Sequence, residues 1–308
     1  MAEAGSAILP AVLRRSLLLL LVCLLPAQAT QVTLLDQPQP GRVAVRVTED
    51  DPLGQWPVRA GDGALLNALR QLSQLLPNPV AGAEVRCVPQ LGDPVKVQTD
   101  DRGRAHCPLP AGAGAVRVEV SGASPQTAPD WNLGSAAHLT VTDLDDTVIV
   151  TGVKSGGLSR VLRQNALTRP IFADLPPLLQ QQAARGPVVY LSGSPDGLDA
   201  SLRQLLAAHA FPPGPLLLRD WPRVATTAHK GRALDALASQ SAATFTLIGD
   251  SGEADPETYA AFVRRWPGRT ERILIRDIGP GERHAEVERL LDSLRVAWGW
   301  LPGTVPQP

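Results

Sequence analysis

Polar and apolar residues alternate along the first half of the chain and give way to unbroken apolar runs in the second. Four stretches, GRVAVRVTE (41–49), GAEVRCVP (82–89), PVKVQT (94–99) and GAVRVEVSG (114–122), place apolar side chains at every other position, as strands buried on one face do. Leu65 to Leu76 reads as a helix packed against or between them. Residues 30–122 therefore predict an all-β sandwich domain, and 123–137, rich in Ser, Pro, Gly and Ala, predict a linker.

From residue 138 the pattern changes. Leu139 to Thr142, Pro187 to Ser192, Pro215 to Leu218, Ala243 to Gly249 and Arg272 to Ile278 are apolar, β-rich runs separated by amphipathic stretches. Such runs suit strands buried on both faces, and their alternation with helices predicts an α/β doubly wound parallel sheet over 138–298. The segment from Gly152 to Pro187 has room only for a flap and two short helices. Val287, Leu290, Leu291 and Leu294 form the core stripe of the last helix, Trp298 and Trp300 cap it, and 299–308 reads as a flexible tail.

Three of these strands end in polar chemistry, all on the rim where open α/β sheets bind ligands. The first ends in Asp143-Leu144-Asp145-Asp146-Thr147, where crowded carboxylates repel unless a divalent cation or a reaction occupies the space between them. Period-two alternation would point Asp143 and Asp145 the same way, with Asp146 outward or bracing the loop. A calcium loop would want Gly where Val148 stands. The second strand ends in Ser192-Gly193-Ser194-Pro195; Ser192 offers a hydroxyl to a phosphate, and Ser194 reads as a helix start. The third leads into Gly249-Asp250-Ser251-Gly252-Glu253-Ala254-Asp255, where Asp250 is placed to complete a Mg²⁺ shell with Asp143 and Asp255 to cap a helix or support that shell. Only three lysines (Lys96, Lys154, Lys230) occur among 29 cationic residues. Lys230, which reads as opening the helix KGRALDALASQ, therefore stands out as a compact charge for a phosphate; a solvated first-turn lysine is the bland alternative. His229 could orient Lys230 or lie exposed.

LTVTDLDDTVIVTGV, VVYLSGSP, GPLLLRD, His229-Lys230 and TLIGDSGEADPETY, in this order, resemble the motifs of the haloacid dehalogenase (HAD) superfamily, and most closely its phosphatidate phosphatase branch, named for a fungal actin-patch protein. The likeness covers about residues 138 to 280. It implies a HAD-like, Rossmann-like core, Mg²⁺ dependence and an aspartyl-phosphate intermediate. Matched residue by residue, Asp143 would be nucleophile, Asp145 general acid and base, Ser192 and Lys230 phosphate anchors, and Asp143, Asp145 (through its carbonyl) and Asp250 metal ligands. Gly193 stands where the family often has a bulky or amide residue.

Composition and termini narrow the setting. Arg14 and Arg15 precede the apolar Leu17 to Leu25, and Ala27-Gln28-Ala29 offers a small-x-small cleavage site, so 1–29 reads as a signal peptide of an exported, periplasmic or secreted, protein; an uncleaved anchor is the alternative. Beyond the signal only Cys87 and Cys107 remain, and in an oxidising compartment they could pair, or stay as free thiols. A formal net charge of -1 without a basic stripe speaks against nucleic acid. The expected partner is a phosphomonoester, with a lipid phosphate first and peripheral membrane contact in view. A surface or envelope binding protein with a weak HAD-like core is the competing class.

Overall fold

The computed structural model describes residues 30–38, 41–49, 51, 53, 57–110, 112–152, 158–220 and 223–302. The expected signal peptide and residues 303–308 lie outside them. The N-terminal region forms two antiparallel sheets. One is β1 (Thr30–Leu35), β2 (Arg42–Glu49) and β5 (Arg104–Pro108), in that order; the other is β4 (Val95–Gln98), β3 (Glu84–Pro89), β6 (Val116–Val120) and β7 (Gln126–Ala128). Val45, Val47, Ala105 and Cys107 of the first meet Val85, Cys87, Val116 and Val118 of the second in one core, and a Cys87–Cys107 disulfide joins the sheets. The expected linker begins later than composition suggested: β7 lies inside it and pairs antiparallel with β6, a strand of three residues being too short to show an alternation.

The helix α1 (Ala64–Leu75) forms as expected, but with its faces reversed. Leu65 and Leu76 are 74% and 72% exposed and Leu69 and Leu72 are also exposed, whereas Asn67, Arg70 and Gln71 are buried. Gln71 donates to the carbonyls of Val161, Leu162 and Gln164, and Asn67 to that of Arg163. Capping those backbone groups holds the polar face inward.

Residues 138–301 form a six-stranded parallel sheet in the order β10 (Leu216–Arg219), β9 (Val188–Pro195), β8 (His138–Thr142), β11 (Thr244–Asp250), β12 (Thr270–Arg276), β13 (Ala297–Leu301). Side chains alternate between two cores. Leu139, Val141, Val189, Leu191, Phe245 and Leu247 pack with helices α5 (Thr226–Gln240), α6 (Asp255–Arg265) and α7 (Gly281–Asp292) on one face. Val188, Tyr190, Ile248 and Leu274 pack with α3 (Leu175–Ala183) and α4 (Asp199–Ala208) on the other; α2 (Leu158–Arg163) follows β8. The expected tail is corrected here: residues 299–301 belong to β13, parallel to β12, because Trp298 and Trp300 pack against the first core. From β8 the chain first adds strands on one side and then, at β11, on the other. The C-terminal ends of β8 and β11 therefore flank the topological switch point, where such sheets leave a crevice. No helix among the described residues is long and apolar enough to cross a membrane.

Candidate active site

β8 ends at Thr142, and the chain then turns sharply. The Leu144 carbonyl accepts from the amides of Thr147, Val148 and Ile149, Asp146 takes a positive φ of 57°, and its carboxylate accepts from the amides of Thr151 and Gly152. Asp146 thus braces the loop. The turn also corrects the expected common direction of Asp143 and Asp145, since strand periodicity stops before either residue. Asp143 points into a buried carboxylate cluster, while Asp145 accepts from the hydroxyls of Ser192 (3.1 Å) and Ser194 (2.7 Å). Ser194 is therefore a partner of Asp145 and not a helix cap; β9 runs on to Pro195, and the Ser194 amide donates to Ser192 Oγ.

Oxygens of Asp143, Asp250 and Asp255 lie within 4.8 Å of one another, all three residues buried. Asp143 directly follows β8, and Asp250 ends its neighbour β11. Asp255 opens α6 and its Oδ2 accepts from the Asp250 amide. Gly249 permits this approach, for a Cβ there would lie 2.5 Å from Asp255 Oδ2. Lys230 Nζ lies 2.7 Å from Asp143 Oδ1, 2.5 Å from Asp255 Oδ1 and 3.4 Å from Glu253 Oε2. Its helix starts at Thr226, a turn before the expected start, so Lys230 is a buried second-turn residue and not a solvated one. His229 turns away, its Nε2 3.2 Å from the Leu217 carbonyl.

These charges set one another. Burial, first, and the carboxylates of Asp255, Asp250 and Asp145 push the Asp143 carboxyl well above its usual range, against the pull of Lys230. Burial and Asp255 raise Asp250 to about 8. Burial also raises Asp145, with the two serine hydroxyls opposing it. For Lys230, burial disfavours the ammonium, but Asp143 and Asp255 outweigh it and hold the group above its ordinary value. Among the described residues, one ammonium faces these three carboxylates and does not balance them. Asp143 Oδ2 and Asp250 Oδ2 are buried with no hydrogen-bond partner among the described residues, and an orphaned buried carboxylate oxygen costs free energy unless a cation or proton satisfies it. This donor set suits a hard divalent cation. Asp255, expected behind the metal ligands, lies within the same carboxylate cluster, with Oδ1 against Lys230 and Oδ2 on the Asp250 amide; the Asp145 side chain is committed to the serines.

Two contributors escaped the sequence reading. Arg169 is buried and hydrogen-bonds to Gln71 Oε1 and the Val161 carbonyl; burial lowers its pKa while Asp145 raises it. Arg276, fully buried, donates to the Thr147 carbonyl and Asp174 and stacks 3.8 Å over Phe172, bracing the turn after β8. Both are arginines in a chain where Arg is the default cation, so composition gave them no prominence.

A parallel α/β sheet thus gathers buried carboxylates, an ammonium and a serine pair at its switch point, and the carboxylate cluster could hold a metal ion. Residues 138–277 match the family model described as phosphatidate phosphatase APP1, catalytic domain. Phosphatidate phosphatase APP1 of Saccharomyces cerevisiae is 29% identical over 150 residues, 44% of this chain and 25% of the yeast protein; the chain thus spans about a quarter of the length of that relative. Two solved structures, a glycosyl hydrolase family 2 member from Bacteroides cellulosilyticus (TM-score 0.19, 11% identity, 88% of this chain and 37% of that one) and a flavohemoglobin from Malassezia yamatoensis (TM-score 0.16, 13% identity, 94% and 66%), align too poorly to bear on fold or function.

Proposed function

We propose that this chain is an exported, Mg²⁺-dependent phosphomonoester phosphatase of HAD-like architecture that acts through an aspartyl-phosphate, with phosphatidate or another lipid phosphate as substrate. The observation that carries this reading is the contact of Lys230 with Asp143 and Asp255, beside carboxylate oxygens of Asp143 and Asp250 that have no hydrogen-bond partner among the described residues. Asp143 Oδ attacks phosphorus as the P–O bond to the alcohol breaks. Asp145, its pKa raised, gives its proton to the departing alkoxide oxygen. Asp145, now ionised, takes a proton from water, whose oxygen attacks phosphorus and frees inorganic phosphate from Asp143. Lys230 and the Ser192 hydroxyl hold the phosphoryl oxygens. A Mg²⁺ ion held by Asp143 and Asp250, with Asp255 adjacent, would supply charge neutralisation that lets a carboxylate approach a phosphate dianion.

The lipid half of the reading rests on the family match and on α1, whose exposed leucines form a row on a helix bonded to the segment that follows the catalytic turn. Peripheral membrane contact belongs to that row more than to Trp298 and Trp300, which pack on the core. Export rests on the N-terminal pattern and the disulfide; a mature N-terminus at Thr30 would support it. The decisive experiment incubates the full chain with Mg²⁺ and either phosphatidate in mixed micelles or a soluble phosphomonoester. Phosphate release that Asp143→Asn abolishes is expected; no release from either substrate at any pH tested would overturn the reading.

A further inference from the structure

The two-residue period of β2 and β5 sends Val45, Val47, Ala105 and Cys107 into the sandwich core and Arg46 and Arg104 to the opposite face. These arginines are register partners, directly across from one another on adjacent strands. Like charges so placed repel, and Arg46 is also buried, so the pair needs an anion between its members. That anion comes from the other domain. Asp196 takes Arg46 Nη1 on Oδ1 at 2.8 Å and Arg104 Nη2 on Oδ2, and its backbone carbonyl accepts from Arg46 Nη2. Arg104 also lies 3.1 Å from Asp220, to which Arg102 donates at 2.8 Å.

Asp196 and Asp220 are the residues immediately after β9 and β10. Asp196 directly follows Ser192-Gly193-Ser194-Pro195, whose two hydroxyls hold Asp145. Asp220 follows Arg219, which donates to the Gly193 carbonyl at 2.7 Å. The loop also has little slack, for a Cβ at Gly193 would lie 2.4 Å from Thr226 Cγ2. The sandwich therefore grips this loop at its exit and, through Asp220 and Arg219, at its middle.

We propose that the β-sandwich is an integral part of the active site: Arg46 and Arg104 clamp Asp196 as positioning residues, and so place the Ser192 and Ser194 hydroxyls against Asp145 and the phosphate. This rests on the phosphatase reading. Neither arginine touches the reacting atoms, so their effect travels through the loop, where a misplacement of about 1 Å can cost on the order of a hundredfold in rate.

The test compares the Mg²⁺-loaded full chain with Asp196→Asn, Arg104→Gln, Arg104→Lys and the double variant Asp196→Asn/Arg104→Gln. Measurements are kcat and KM for a soluble phosphomonoester well below Tm, Kd for inorganic phosphate, and the Tm gain on adding Mg²⁺. Asp196→Asn and Arg104→Gln should lose roughly tenfold to a hundredfold in kcat/KM and bind phosphate more weakly. Their Mg²⁺-induced Tm gain should stay as in the wild type, because Asp143 and Asp250 are untouched. Arg104→Lys, which keeps the charge, should recover most of the loss, and the double variant should lose less than the product of the single losses, because removing one arginine relieves the repulsion that Asp196→Asn exposes. If Asp196→Asn fails to fold, the partly exposed Arg104 carries the comparison alone. Folded variants with wild-type kcat/KM and phosphate affinity would overturn the clamp while leaving the phosphatase standing. An inactive wild type would instead remove the phosphatase reading and the clamp's catalytic role with it.

Discussion

Lys230 is where single side chains carry the greatest consequence, because one buried ammonium faces carboxylates from β8 and from the start of α6. Removing one partner of a buried ionic cluster leaves charge uncompensated, at about 3–5 kcal/mol. Lys230→Met should lower the metal-free Tm, and saturating Mg²⁺ should return part of the loss by restoring charge balance; equal melting curves for both proteins would remove Lys230 from the cluster. Protons play the same part. Asp250, raised from 3.8 to about 8, keeps a proton in the folded metal-free chain that the unfolded chain has already released. Stability of the metal-free protein should therefore fall as pH rises through that window and level off above it. Mg²⁺ competes with that proton, so the Mg²⁺-induced gain in Tm should grow from pH 5 toward about 8; a gain independent of pH would contradict the buried donor set. Asp143, Asp145, Ser192 and Asp250 could be picked out from sequence, since polar residues at or just past the ends of buried strands stand out against apolar neighbours, and Lys230 because lysine is scarce in this chain. Arg169 could not, because only the tertiary packing of α1 and α2 shows it buried.

Among the elements, strands were more legible than the surfaces they make. Each of the first five parallel strands was found within two residues of its expected ends or slightly longer, because burial on both faces leaves a dense apolar signature. α1 was found in place yet turned over, because helical periodicity says that a helix has two faces and not which one meets protein. Its leucines point outward because backbone groups of residues 161–164 needed the amides of Gln71 and Asn67. If that row meets lipid, Leu65→Gln/Leu76→Gln should slow phosphate release from phosphatidate in vesicles by several-fold and leave a soluble phosphomonoester unaffected. Both positions are exposed, so stability should change by no more than about 0.5 kcal/mol per site. Equal losses on both substrates would place the row's role within the fold.

For the molecule as a whole, the disulfide and the arginine clamp act in series. Cys107 lies on β5 three residues beyond Arg104, and its bond to Cys87 ties that strand to the opposing sheet across a separation of 20 residues. Closing a loop of that size stabilises by about 3 kcal/mol through the unfolded state, a large share of the margin of a small sandwich. Reduction should therefore lower the stability of the sandwich first. The parallel sheet buries two cores of its own and should melt later, as a separate transition. Activity should follow the first transition and not the second, because β5 carries Arg104 to Asp196 and the serine loop depends on that contact. Following near-ultraviolet circular dichroism and phosphate release together during a thermal ramp, with and without reductant, distinguishes the cases. Loss of turnover only when the α/β sheet melts would show that the α/β domain holds its own loop.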